Sequence, residues 1–250
     1  MISIGKINLL IKTGLVIVTV GTVMPVALNA TPPDSTKTSL LINSRLHTAG
    51  YFPYTGALLN RNPVADVNVF FEKKMIGFYV FQSLDLADRH SYANYLQPGV
   101  FATFRFHPNF RLRTFFGYIF SQTLGFRDPD SDFYAAATLT KDLSKHFRIE
   151  NTALFYDYNI QKKLANRLSV SWLSQKFKVD LYLWHRTVLD ENKQAVSTSL
   201  ALTFPILKLN KNTALQFTGA YLRYVTAYRP SFALRDGFLF TIAVPVNVLP

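Results

Sequence analysis

In the stretch Phe110-Arg-Leu-Arg-Thr-Phe-Phe-Gly-Tyr-Ile-Phe120, apolar and polar residues alternate with a period of two. Successive side chains of an extended strand point to opposite faces. Phe110, Leu112, Phe116, Tyr118 and Phe120 therefore share one face, and Arg111, Arg113 and Gly117 take the other. A helix would mix the two sets around its circumference.

The same period returns along the chain. In Asn166-Arg-Leu-Ser-Val-Ser-Trp172, Leu168, Val170 and Trp172 oppose Arg167, Ser169 and Ser171. Phe177 to Leu183, Thr213 to Phe217 and Phe238 to Val246 repeat the scheme. No stretch keeps a helical stripe for three turns, so the chain reads as all-β. Twelve strands are expected, at 38–47, 64–72, 75–84, 96–106, 110–121, 132–140, 146–159, 166–173, 176–187, 196–208, 213–226 and 237–248. Most are about ten residues long, the length of a tilted strand crossing a bilayer.

Connections alternate in length. Short turns fall at Lys73-Lys74, His107 to Asn109, Lys141 to Lys145, Ser174-Gln175 and Leu209 to Asn212. Longer loops fall at 48–63, 85–95, 122–131, 160–165, 188–195 and 227–236. This is the pattern of an antiparallel up-and-down barrel with tight turns at one rim and loops at the other. An even strand number returns both termini to the turn rim. The turns set a register in which Arg105 faces Arg111 and Phe106 faces Phe110. They also set Trp172 against Phe177, Val170 against Val179, Leu168 against Leu181, Phe204 against Phe217 and Ile206 against Leu215. Each hairpin then keeps its apolar side chains on one face. Pro245 removes a ladder donor from the last strand, and a local bulge is expected there.

The 250 residues are 49% apolar and 15% aromatic, with 22 Phe, 13 Tyr and no cysteine. That excludes a disulfide scaffold, a cysteine-ligated metal site and a thiol nucleophile. A net charge of +12 would ordinarily raise nucleic acid as a partner, but no nucleic-acid motif accompanies it. Two of the charges, Lys6 and Lys12, precede the apolar run Gly14 to Met24, with Pro25 and the small residue Ala30 beyond it. Residues 1–30 thus read as a secretory signal peptide, 31–37 as a short periplasmic segment and 38–250 as the barrel. Removing the signal leaves +10 on the mature chain.

A soluble barrel points its apolar face inward, and a membrane barrel points it outward. Export, the large strand number and the strand-end aromatics favour the membrane. Tyr118, Phe120, Phe133, Trp172, Phe177, Tyr221 and Phe238 are placed to form two interfacial girdles. On strand length, alternation and loop asymmetry, residues 38–248 resemble bacterial outer-membrane β-barrels of the porin-like class. The resemblance implies a Gram-negative outer membrane, periplasmic turns, extracellular loops and contact with membrane lipid and lipopolysaccharide. Barrels of that class usually end on an aromatic residue, whereas this chain ends Val246-Asn-Val-Leu-Pro250.

With the apolar face outward, alternation turns the polar residues into the lumen. The basic ones are Arg105, Arg111, Arg113, Arg148, Arg167, Lys178 and Arg186, with Arg45 and His47 on the first strand. The acidic ones are Asp66, Glu72, Glu150 and Asp180, and the aromatics include Phe101, Tyr182 and Trp184 besides Phe70, Tyr79 and Phe81. Opposed like charges such as Arg105 and Arg111 destabilise a sheet unless water, anions or carboxylates answer them. A basic constriction would favour small anionic solutes. The rival is a rim cluster neutralised by Glu72 or Glu150 in a barrel whose lumen is occluded. The long first loop, Ala49 to Leu59, either folds inward or caps the rim.

A lipid-modifying enzyme would need Ser and His adjacent on the outer wall. His185 faces outward, but Ser197 and Ser199 on the next strand face inward, which argues against that dyad. No phosphate loop, zinc helix or nucleophile elbow is present, and Asp128-Pro-Asp-Ser-Asp132 lacks the glycine and distal glutamate of a calcium loop. The sequence therefore predicts a non-enzymatic channel for small hydrophilic solutes, with no cofactor, no metal and no nucleic acid.

Overall fold

The structure, a computed structural model, describes residues 38–52, 56–91, 93–121, 132–156, 163–209, 213–229 and 233–249. The expected signal at 1–30, the segment 31–37 and the residues Asp128 to Ser131 lie outside these. Twelve antiparallel strands close into one barrel. They are β1 (Thr38–His47), β4 (Val64–Lys73), β5 (Ile76–Asp85), β6 (Tyr95–His107), β7 (Phe110–Ser121), β8 (Asp132–Asp142), β9 (Phe147–Tyr156), β10 (Lys163–Leu173), β11 (Lys178–Val188), β12 (Lys193–Lys208), β13 (Ala214–Tyr224) and β14 (Asp236–Leu249). Each pairs with its neighbours in sequence, and β14 closes on β1. A separate hairpin, β2 (Gly50–Phe52) and β3 (Ala57–Asn60), lies within the first long loop.

The barrel is inside out. Its fully buried side chains include Gln97, Thr103, Ser83, Ser169 and Ser197, whereas Val100, Phe116, Leu181, Leu200 and Phe238 are 52–66% exposed. Burial alternates along β5 and β11, so the exposed set is the outer wall and the buried set the lumen. Water would not tolerate so large a continuous apolar wall, and hydrocarbon would. Aromatics gather at both rims of that wall: Tyr118 meets Phe120 and Phe133 at one end, and Trp172 meets Phe177 edge-on at the other.

Turn geometry corrects the expected pairings in three of the hairpins. Between β10 and β11 the loop takes four residues, with Ser174 N–H donating to the Phe177 carbonyl. Trp172 therefore pairs with Val179 and Leu168 with Leu183, a shift of two that leaves every side chain on its expected face. Arg105 does oppose Arg111, but a bulge then sets His107 rather than Phe106 against Phe110. Phe204 meets Phe217 as expected, whereas a bulge at Ile206 brings Leu207 to Leu215. The first turn slips to Lys74-Met75, with Lys74 at φ 61°.

Pro245 has no bulge of its own. The only shift between β14 and β1 lies at Leu40/Leu41, and β14 pairs with β13 only through Ala243. Pro245 thus sits where the strand has a neighbour on one side, the setting that a strand proline tolerates. If the outer wall meets lipid, Leu181→Arg lowers barrel stability by about 2–4 kcal/mol. Urea titration in lipid vesicles measures this, with Gln216→Arg on the inner wall staying near the wild-type midpoint.

Candidate functional site

The turn rim of the lumen is basic and wet. Arg111 and Arg113 stand near the start of β7, Arg105 near the end of β6 and Arg148 near the start of β9. Arg111, Arg113 and Arg148 are each 32% exposed, unlike the buried side chains deeper in the barrel. Acids from neighbouring strands answer most of them. Arg148 Nε donates to Asp142 at 2.5 Å, Arg111 reaches the same carboxylate at 3.9 Å, and Arg113 donates to Glu72 at 3.2 Å. Glu150 accepts from the Thr140 hydroxyl. Arg105, exposed and opposite Arg111, has no ion-pair partner among the described residues. Lys178 is salt-bridged to Asp180 at 3.0 Å, and Ser171 donates to the same acid. Asp142, absent from the expected set, is shared by two arginines.

Above this vestibule an aromatic cluster fills one side of the lumen. The Arg113 guanidinium lies 4.9 Å over the Phe101 ring, a cation–π contact that forms the vestibule floor. Tyr79 is the hub of the cluster, with ring centroids of Phe115, Phe70 and Tyr134 at 5.5, 5.7 and 6.3 Å. Gly99 makes room for it, since a Cβ there would lie 2.7 Å from the Tyr79 ring and hydroxyl. Tyr79 and Phe81 are 1% exposed and Gln97 0%. Arg167 donates to Thr152, and Arg186, buried higher up, lies 5.6 Å over the Tyr156 ring.

The first loop folds inward, which resolves the choice left open by the sequence. Ala57 and Leu58 of β3 are buried in a cluster with Trp184, Ala195, Leu222 and Leu239, all from the inner wall of β11–β14. Gly56 lies face-on to Trp184, where a Cβ would come within 2.2 Å of the indole; its φ of 61° also suits glycine. Ser197 Oγ donates to the Gly56 carbonyl, and Leu234 N–H to that of Leu58. Asn60 holds the root: its Oδ1 accepts from Gly50 N–H, and its Nδ2 donates to Asp85 and Ser91. Tyr182 stacks on Trp184 at 5.1 Å. Beneath the hairpin, Gln216, Thr218 and Ala220 are only half-buried, so the wet vestibule continues up this side of the lumen.

One buried polar chain lies at the end of β1, where the first loop begins. Asp66 accepts from Arg45 Nε and is bonded to His47 Nε2, both at 2.7 Å, while His47 Nδ1 is 2.7 Å from the Thr241 hydroxyl. The expected site residues thus all point into the barrel, but they divide into a turn-rim group and separately buried members. His185 faces outward and meets Gln194 at 3.3 Å, whereas Ser197 and Ser199 are buried inside, so these residues form no dyad.

Strand number and closure set this architecture beside known barrels. No family model matches the sequence, and no curated protein matches it. Solved structures match in shape. The KdgM porin superposes with a TM-score of 0.54 at 9% identity, over 82% of this chain and 97% of that one. The fold is that of porin-like outer-membrane β-barrels. The NanC porin gives 0.52 at 10% identity, over 82% and 98% of the two chains. An outer membrane channel from Pseudomonas putida F1 gives 0.53 at 10% identity, over 90% and 100%. At these identities the likeness is one of fold, and no residue roles carry across.

The Asp66 chain is testable within this porin-like barrel. Asp66→Ala strands Arg45 and His47 without their acceptor and costs about 3–5 kcal/mol, the usual effect of breaking a buried ion pair. The unfolding midpoint in detergent micelles reads it, and a shift under about 1 kcal/mol would show that water replaces the carboxylate.

Proposed function

We propose that this chain is an outer-membrane channel for small hydrophilic solutes, with a modest preference for anions and a passage restricted by the β2–β3 hairpin. The observation that carries the reading is the uncompensated Arg105, set beside Arg111 and Arg113 at a wet mouth. A solute anion arriving there meets a positive field that Glu72 and Asp142 reduce without cancelling. Pairing of the other arginines keeps the preference modest.

The turn rim faces the periplasm in this reading, and lipopolysaccharide surrounds the loop rim. Solutes enter along the half-buried wall of β13 and pass when the hairpin yields. The hairpin is short, is not part of the barrel ladder and rests on Trp184 through the Cβ-less Gly56, so its displacement leaves the wall intact. The buried aromatic cluster favours the rival, an occluded structural barrel, and conductance separates the two.

Planar-bilayer recording of refolded protein is the test. Wild type should show small or infrequent steps. Replacing residues 50–60 by a short glycine-serine link should raise conductance several-fold. If both forms stay silent while folded, the channel reading fails and the occluded barrel stands. Arg105→Glu combined with Arg111→Glu should move the reversal potential toward cation preference in a salt gradient; an unchanged potential removes the anion filter.

A further inference from the structure

We propose that the outer wall across β6–β10 is a self-association face, through which two copies of this chain pair inside the membrane. Small residues gather on this face. Along one row of the sheet, Ala102, Thr114, Ala137, Ala153 and Asn166 stand directly opposite one another on five successive strands. Small side chains here leave a recess of about 620 Å³, edged by bulky Ile76, Phe116, Phe155 and Leu164. Small residues allow close approach of backbones within lipid, where apolar bulk alone gives no preference for protein over acyl chain.

Polar groups adjoin the recess where hydrocarbon cannot satisfy them. Asn166 pairs with Ala153 across β9, and its amide is reciprocally bonded to Asn151: Asn151 Nδ2 donates to Asn166 Oδ1 at 3.1 Å, and Asn166 Nδ2 returns to Asn151 Oδ1 at 3.4 Å. Both lie on the outward face, since their strand neighbours Thr152 and Ala165 are buried in the lumen. Each amide carries two N–H donors and two acceptor lone pairs, so the reciprocal pair leaves a donor and an acceptor of each amide unused on the outward face. Asn151 is at the middle of β9, well below either rim. No lipid headgroup reaches that depth, and acyl chains offer no hydrogen bond.

The occupant that matches is a second copy. An amide pair with a spare donor and a spare acceptor is its own complement, and a two-fold axis brings the same patch from each partner together. The same operation seats the ridge of Phe116 and Phe155 from one copy in the alanine recess of the other. A further outward polar pair, His185 with Gln194, continues from Asn166 toward the loop rim, with His185 directly across from Asn166.

The chain has no cysteine, so single-cysteine variants report the contact directly. Full-length protein refolded into lipid vesicles is treated with a short bismaleimide. Ala137→Cys should give a covalent dimer, and Leu46→Cys, on β1 across the barrel, should not. Asn151→Leu with Asn166→Leu should weaken dimerisation at least tenfold by sedimentation in lipid nanodiscs, while heat-modifiable migration shows an intact barrel. Should that variant not fold, Ala137→Trp, which fills the recess, should disrupt the dimer equally. A monomeric wild type, equal cross-linking from Leu46→Cys, an undiminished dimer in the variants, or a monomer holding a tightly bound lipid on this face each overturns the proposal.

Discussion

The closed ladder of backbone hydrogen bonds is the constraint on which everything else rests. A strand whose outer face meets hydrocarbon has no water to satisfy an unpaired amide, so every strand needs a neighbour on both sides. Joining β14 to β1 removes the two edges that an open sheet would expose. Once the ladder is closed, the period of two does the sorting. Most leucine and valine go to the lipid and most arginine and serine go inside, while phenylalanine and tyrosine serve both faces. Pro245 fits this logic, because it lies beyond the stretch that β13 pairs.

Turning polar residues inward creates a second problem, since a lumen must be filled with water, with side chains or with chain. This barrel uses all three. At the turn rim, arginines and carboxylates stand in solvent and largely neutralise one another. On the β4–β10 side, Tyr79 and its aromatic neighbours pack across glycines that leave them space. On the β11–β14 side, the hairpin lays Gly56, Ala57 and Leu58 against Trp184. The ladder of the wall is continuous, and the hairpin lies outside that ladder, held among the described residues by Trp184, Ser197, Leu234 and Asn60.

Much of this was legible in the residues. Strand positions and face assignment follow from alternation, because a side chain's face depends only on whether its position is odd or even, and the short turn at His107 to Asn109 set Arg105 against Arg111. Exact pairing was less accessible. A turn of four residues instead of two shifts Leu168 from Leu181 to Leu183 while preserving parity, so no hydrophobic pattern can register the error. Bulges at Phe106 and Ile206 are set by local backbone geometry, which composition does not encode. The apolar first loop carried a signal in Ala57-Leu58-Leu59, a run unsuited to an aqueous rim. Its destination still required the position of Trp184, more than a hundred residues away.

By itself, then, the amino-acid sequence determined an all-β chain of twelve amphipathic strands with its charge on one face, since strand geometry is local and periodic. Only the tertiary structure decided which arginines keep a carboxylate partner and which, like Arg105, have none among the described residues. It alone placed the hairpin inside the lumen and set Asn151 beside Asn166 on the outer wall. Those outcomes depend on the stagger between strands and on contacts across the barrel, and closure fixes both at once.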